Sequence, residues 1–526
     1  MLTKLKNAYN LKAPTRFEWI IVCFVLGILF FSHIYWDMIV TTRHGINVWE
    51  SLFSGNLLNY YHDNVAPPMT GVATTAAIYP FPVYIIFALW NFPLWLLERF
   101  AGVDPLASPL TLMYGKAVLI PFLVGSAVMI RKICRKLDIS DNNAQWCSFF
   151  FVTNCLVIFA LNVVGQYDIF AVFFMLVGLY FYLDKKYTHF IALFAVAVCM
   201  KLFALIVFIP LLLLIEKRVW DIVLKGIAVM SLYFISGALI VAPESSSGYK
   251  TAIMSFVFHQ RLPLTYLHTP IFVILAVLLW IFCYTRDKDN PNHKAMAVYA
   301  AFLSLAVLFV SSYTYAYWII LMSPFMCLLC FMGFAKGSGS NRKHTQRIKA
   351  IWLVEMMTAG SFIFALNMIG SPVWSLHTIG SSPIGLIHGY APREAHLGAL
   401  LNDYVGEPMV ANLAHSFTAA FVAGIIAFAV MTYPRKALET VAEPELAEEA
   451  PVFEIDALLA PDPEPESEAA EVAEVVAAAE VAEAEEPAQE QEAVVARSVI
   501  LGRVLLNVII CGLQLAIYFY LIGKGA

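Results

Sequence analysis

Residues 18–36, EWIIVCFVLGILFFSHIYW, form an apolar run as long as the ~20 residues that cross a bilayer as a helix. Asp37 follows at once. After it come Thr41-Thr42-Arg43-His44-Gly45, Trp49-Glu50 and Tyr60-Tyr61-His62-Asp63. A carboxylate fixed where a membrane helix ends is costly to place there, so it points to chemistry at that surface. Fold and function both turn on which side of the membrane this polar loop occupies.

Apolar residues make up 60% of the chain and charged residues 13%, and the mean hydropathy is +0.73. Soluble domains carry about a quarter charged residues, so an ordinary soluble fold is excluded. The chain reads as an all-α polytopic membrane protein: a membrane domain over residues 1–436, an acidic low-complexity segment over 437–498, and a C-terminal transmembrane helix within 499–526. No small-residue cleavage site follows the first apolar stretch, so that stretch is expected to remain as an anchored helix. The nine cysteines lie in apolar segments or in the basic loop 131–136, which argues against disulfides. Cys327-x-x-Cys330 has a redox spacing, but inside an apolar span it reads as packing.

The net charge of −5 conceals an asymmetry. Residues 437–497 hold 19 of the 38 acidic residues and a single basic one, Arg497, which leaves the rest of the chain at +13. Basic loops mark the cytoplasmic face of membrane proteins. With a cytoplasmic N-terminus, the first helix delivers Asp37 to the outside. The next apolar stretch, 78–97, carries Pro80, Pro82 and Pro93 and reads as an interfacial or re-entrant segment on the outer face. The second span is then 111–130. On this reading the basic loops 131–136, 185–186, 217–225, 286–294, 336–349 and 435–436 all become cytoplasmic. The intervening spans are about 144–163, 169–183, 189–200, 202–215, 227–242, 269–284, 296–312, 316–334, 350–369 and 414–432, with a last one at 499–522. The pair at 189–215 is too short for two full crossings and reads as a hairpin of short helices turning near Lys201. About 12–13 transmembrane helices result. The loops 37–110, 243–268 and 370–413 and the turn Gly165-Gln166-Tyr167-Asp168 face outward.

Several residues on that face could carry chemistry. Asp37 reads as a general base, or as the holder of a metal, or simply as a helix-end residue solvated among headgroups. Asp168 reads as a supporting acid or as the cap of the next helix, and Asp63 with His62 as site residues or solvated loop residues. Arg43, His44, Lys116, Lys201, His259 and Arg261 are the basic counterparts. Lys116 and Lys201 sit in apolar sequence, where a lysine either snorkels or pairs with an anionic lipid phosphate. Tyr60, Tyr61 and Tyr79, and the group Tyr313, Tyr315, Tyr317 and Trp318, read as an interfacial belt or as sugar-stacking rings. No Gly-rich phosphate loop, Rossmann fingerprint or recognisable metal-ligand spacing occurs, and no nucleic-acid partner is expected. A transferred group would therefore have its donor delivered within the membrane.

These features resemble the type C (GT-C) glycosyltransferases, integral-membrane enzymes that use polyprenyl-phosphate sugars, bacterial mannosyltransferase-like members among them. The likeness runs over roughly residues 15–430. Its local motifs are Asp37 at the end of the first helix, Tyr79-Pro80-x-Pro82, Gly165-Gln166-Tyr167-Asp168, and Lys201 followed by Pro210. Here Phe81 interrupts the proline pair, Met38 follows Asp37 where many members carry an acidic pair, and the acidic tail has no counterpart. The resemblance implies a GT-C-like bundle whose extracytoplasmic first loop carries a re-entrant or interfacial helix. It implies Asp37 as catalytic base and Asp168 and Asp63 as supporting acids. Lys201, Lys116 and Arg261 become contacts to the donor phosphate, and Arg43, His44, Tyr79, Gln166 and Tyr315 contacts to acceptor or sugar. The implied enzyme is an inverting hexosyltransferase of the plasma membrane, moving a hexose such as mannose from a polyprenyl-phosphate donor to an extracytoplasmic glycan, glycolipid or protein. No cofactor is called for, and a divalent metal stays open. The alternatives are a transporter or flippase of lipid-linked saccharides, and a polysaccharide polymerase or ligase using a pyrophosphate-linked donor.

Overall fold

The computed structural model describes residues 13–63, 77–241, 255–264, 267–335, 342–369 and 397–434, and a few scattered positions between 501 and 520. The acidic segment 437–498, most of the expected last span, the loop 370–396 and residues 64–76 lie outside the described residues.

Helix α1, Arg16–Ser32, starts at a capping box: the Thr15 hydroxyl accepts from the Glu18 amide, and the Glu18 carboxylate accepts from the Thr15 amide at 2.6 Å. It ends where His33 and Tyr35 turn extended, and α2, Trp36–Phe53, leaves at 81° to it. Asp37 therefore stands in the first turn of α2, just past the corner. Helix α3, Phe81–Ala101, crosses α2 with the backbones nearly touching. A Cβ at Gly45 would lie 2.7 Å from the Phe87 Cβ and 2.8 Å from its carbonyl carbon. The Trp49 indole donates to the Ala88 carbonyl at 2.7 Å, and Arg43 pairs with Glu98 at 2.6 Å.

The prolines do not interrupt α3, so 78–97 holds no re-entrant break; a continuous helix is compatible with the interfacial placement read from the sequence. Pro80 precedes the helix and Pro82 occupies its first turn, where no intrahelical N–H is needed, while Pro93 removes a single ladder bond. The result is a continuous helix of 21 residues, long and apolar enough to cross a membrane.

Helices α4 (Pro109–Lys116) and α5 (Leu119–Lys136) follow with a short break at Ala117-Val118. Next come α6 (Asp141–Val152) and α7 (Cys155–Ile158), the latter running on as a π-helical stretch, Phe159–Val164. The α6–α7 pair bends by 45° at Asn154, whose side chain caps the Leu156 amide at 2.9 Å. Helix α8 is Ile169–Leu183, α9 Tyr187–Met200, α10 Ala204–Ile215 and α11 Val219–Leu239. Lys201 falls in the extended break between α9 and α10. Phe190 and Phe194 of α9 both lie against Phe208 of α10, which folds the two short helices back on one another as expected. A two-stranded antiparallel hairpin, β1 (Arg261–Leu264) and β2 (Leu267–Pro270), leads to α12 (Ile271–Tyr284) and α13 (His293–Ser311). A 3₁₀ segment (Ala316–Leu321), α14 (Ser323–Phe331), α15 (Arg342–Ile369), α16 (Leu397–Val405) and α17 (Glu407–Thr432) complete the described chain.

Among the described residues seven helices are long and apolar enough to cross a membrane, or up to nine if each bent pair counts as one span. This is an all-α polytopic membrane protein. The higher number read from the sequence included α8, α9, α10 and α12, which have 15, 14, 12 and 14 residues. At 1.5 Å per residue these reach about 18–23 Å, short of the ~30 Å hydrocarbon core.

Loops expected on one face do meet at one end of the bundle. Lys136 pairs with Asp184 at 2.5 Å, and Lys294 donates to the Lys136 carbonyl at 2.9 Å. Lys217 donates to the Tyr284 carbonyl at 2.7 Å, and Arg347 to that of Met431 at 2.7 Å. Glu216 sits at this end too, its carboxyl held below the usual range by the hydrogen bond from Lys225. The core between the two ends is apolar, with α7 and its π-helical continuation, the 3₁₀ segment and α14 among its most buried pieces. By contrast α11 fully buries only Val229; Ile222, Met230, Leu232 and Tyr233 pack partly against the core and much of the rest is exposed.

The Gly45 approach predicts that Gly45→Leu lowers the thermal midpoint of the detergent-purified protein. Overpacking of this kind costs about 1–3 kcal/mol. Gly226→Ala, whose Cβ meets nothing within 4 Å, does not lower the midpoint. Equal midpoints for the two variants would refute the close crossing.

Candidate functional site

At the end of the bundle opposite the basic loops, four separate pieces of chain converge on two carboxylates. Asp37 comes from the corner after α1, Gln166 and Asp168 from the turn before α8, Lys201 from the α9–α10 break, and Tyr317 and Trp318 from the 3₁₀ segment.

Local structure explains how each arrives. The π-helical stretch ends at Gly165, which has φ +76°, a conformation that costs glycine nothing. A Cβ there would also press on the Lys116 side chain at 3.3 Å. The reversal at Gly165 aims Gln166 at α2, where its amide donates to Asp37 Oδ2 at 2.9 Å. Tyr317 adds a second hydrogen bond to Asp37. The Asp37 side chain stays partly exposed, whereas Gln166 and Asp168 are buried.

Asp168 precedes α8 but does not cap it with its side chain. Its Oδ1 instead lies 2.9 Å from Lys201 Nζ, with side-chain exposures of 1% and 9%. The Lys201 ammonium also stands over the Trp318 ring, 4.7 Å from its centroid. Removing one member of so buried a pair leaves an uncompensated charge, a loss of about 3–5 kcal/mol. The pair is neutral as a unit, so Asp37 remains the carboxylate of the group with no cation bonded to it among the described residues.

Lys116 occupies a different place from the one the resemblance implies. Its ammonium is fully buried and donates to three backbone carbonyls, Phe30 at 2.8 Å, His33 at 2.6 Å and Asn162 at 2.6 Å. An ammonium has three protons, so this set exhausts it. Lys116 is a staple holding the α1 corner to the π-helical stretch, and no donor remains for a phosphate.

The other expected residues divide between the site and its surroundings. The Tyr79 ring lies 5.0 Å from that of Tyr167, beside Gln166. Tyr315 stacks on Tyr317 at 5.6 Å and meets Trp318 edge-on at 5.1 Å. Arg43 is committed to Glu98, and His44 is buried against Tyr84, its carbonyl accepting from Tyr60. Arg261 is exposed at the start of β1, with its Nε donating to the Phe258 carbonyl at 3.0 Å. Its segment is tied to the aromatic group through Phe256, whose ring lies 5.8 Å from that of Tyr315. The Asp63 side chain lies outside the described residues. No group of three or more His, Cys, Asp or Glu that could hold a metal ion occurs among the described residues.

Two further features were not singled out from the sequence. Tyr317 and Trp318 read there only as members of an aromatic group, although the spacing Tyr313-x-Tyr315-x-Tyr317-Trp318 is visible. Glu355 is buried in α15 and accepts from Asn154 Nδ2 at 2.7 Å, at the bend between α6 and α7. A lone acid inside the apolar run 350–369 was its signal.

No family model matches the chain, and neither curated proteins nor solved structures give a significant match.

The staple predicts that Lys116→Met destabilises the protein. A hydrogen bond to a charged group is worth about 1.5–3 kcal/mol, and three carbonyls lose theirs together. The thermal midpoint in detergent should fall by several degrees or more, and ligand addition should not restore it. A midpoint equal to wild type would remove Lys116 from the scaffold and return it to the list of ligand contacts.

Proposed function

We propose that the chain is a membrane glycosyltransferase that moves a hexose from a polyprenyl-phosphate donor to an acceptor hydroxyl on the extracytoplasmic side. The observation that carries this reading is Asp37. It is a partly exposed carboxylate, oriented by Gln166 and Tyr317 and bonded to no cation among the described residues, beside a buried Asp168–Lys201 pair in a polytopic fold.

In this reaction Asp37 takes the proton of the acceptor hydroxyl as its oxygen attacks the anomeric carbon. The bond from that carbon to the donor phosphate oxygen breaks, and the phosphate leaves with the electron pair, so the new bond has inverted configuration. Charge builds on the departing phosphate, and offsetting it is the larger electrostatic task. Lys201 meets that charge with the two N–H groups not turned to Asp168, while Arg261 offers the guanidinium nitrogens not bonded to Phe258. Tyr79 and Tyr315 supply ring faces for the sugar. Lys116 has no part in the chemistry.

Purified protein, a radiolabelled polyprenyl-phosphate hexose and an acceptor extract provide the assay. Wild-type protein forms a glycoside. Asp37→Asn keeps the shape, binds donor, and turns over about 10²–10⁴-fold more slowly, the usual share of a general base. Lys201→Met weakens donor binding, and Lys201→Arg recovers part of it. Activity of Asp37→Asn within a few-fold of wild type would exclude it as the base. Wild-type protein that moves the lipid between leaflets and yields no glycoside would be a flippase instead.

The assigned face has its own check. On a cysteine-free chain, Ser54→Cys should react with an impermeant thiol reagent in intact cells, whereas Lys288→Cys should not. Both positions are exposed. The reverse pattern would put the site in the cytoplasm.

A further inference from the structure

A groove of about 730 Å³ opens between α1 and α5, with α4 and α6 residues completing its walls. Sites for small molecules are typically roughly 300–1,000 Å³. Its walls are apolar and in part fully open: Phe31, Ile120, Val124 and Val128 are each about half exposed. In a protein that crosses a bilayer, such a surface meets hydrocarbon.

Three observations give the groove an occupant. First, Gly27 lines its middle, and a Cβ there would meet nothing within 4 Å. No neighbour in the protein requires the glycine, yet glycine in a helix interior costs about 1 kcal/mol against alanine. The space it opens belongs to the groove. Second, the wall from Ala117 to Arg131 rises about 21 Å at 1.5 Å per residue, enough for one extended fatty acyl chain. Third, the groove has one charged mouth, where Arg131 and Gln145 form the lining. Arg131 Nε and Nη2 both go to Asp141, at 3.1 and 2.6 Å, while its Nη1 has no bond among the described residues. Arg135 shares the same carboxylate at 2.5 Å, and Lys132 is exposed next to them. Arg131, Lys132 and Arg135 outnumber Asp141 and the exposed Asp138, so this end of α5 carries surplus positive charge.

We infer that this groove binds an anionic phospholipid, with one acyl chain lying along Gly27 and the phosphate at Arg131. The inference rests on the polytopic fold alone and stands or falls apart from the transfer reaction. The lipid fills the side of α1 that the protein leaves open, and so backs the Lys116 staple from the bilayer side.

Native mass spectrometry of the full-length protein, stripped in detergent and then offered phosphatidylglycerol or phosphatidylcholine, tests it. Wild-type protein should retain one more phosphatidylglycerol than Gly27→Trp, which fills the groove. Val124→Trp, at an exposed lining position, should show the same loss should Gly27→Trp not fold. Phosphatidylcholine should be held several-fold less, and Arg131→Gln should abolish that preference. Equal retention by wild type and both tryptophan variants overturns the inference, as does equal retention of the two lipids. A wild-type chain that retains no phosphatidylglycerol overturns it as well. Displacement of the phospholipid one for one by polyprenyl phosphate would assign the groove to the donor.

Discussion

The Lys116 ammonium is the contact on which the arrangement of the site depends. An α-helix ends with four carbonyls that have no intrahelical partner, and inside a membrane protein no water replaces it. Helix α1 ends at its 81° corner, and Lys116 takes the carbonyls of Phe30 and His33 there. Its positive charge also suits the negative end of the helix dipole. The third carbonyl, from Asn162, belongs to the π-helical stretch three residues before Gly165. One side chain thereby fixes where α2 begins, and so where Asp37 stands, relative to the turn that carries Gln166 and Asp168. Asn162 returns the link by donating to the Leu26 carbonyl at 2.9 Å.

A buried lysine used in this way exchanges possible chemistry for geometry. Lys201 and Asp168 form a neutral pair beside Asp37, with the Lys201 ammonium over the Trp318 ring. The carboxylate held only by neutral donors is Asp37, through Gln166 and Tyr317. Neutral donors orient a carboxylate without fixing its proton balance as an ion pair would, and a general base needs that freedom. Burial divides the two carboxylates: Asp168 is sealed from solvent against Lys201, and Asp37, the proposed base, stays partly exposed.

Some of this was legible in the sequence. The basic loops declared a common face because lysine and arginine are too costly to leave in hydrocarbon, and Lys136, Lys217, Lys294 and Arg347 do gather at one end. The fold-back at Lys201 was legible from length alone. The role of Lys116 was not, because its acceptors are backbone carbonyls as many as 86 positions away, and backbone atoms leave no mark in residue identity. Nor was the commitment of Arg43 to Glu98, 55 residues on, which removes an apparent site cation. The prolines of α3 suggested a break that is absent, because their effect depends on position within the turn, which follows only from knowing where the helix starts.

The buried Glu355–Asn154 contact extends the same logic away from the reactive end. Asn154 uses its amide oxygen to cap α7 and its amide nitrogen to reach Glu355, so one residue both starts the helix and anchors it to α15. The bend it secures sets the direction of the stretch that ends at Asn162 and Gly165. Lys116 then fixes the far end of that stretch against α1. The segment delivering Gln166 and Asp168 is thus held at both ends by polar contacts buried in an apolar core, where each would be costly to break. A turn clamped in this manner can present two side chains to a carboxylate on another helix without relying on the outer loops.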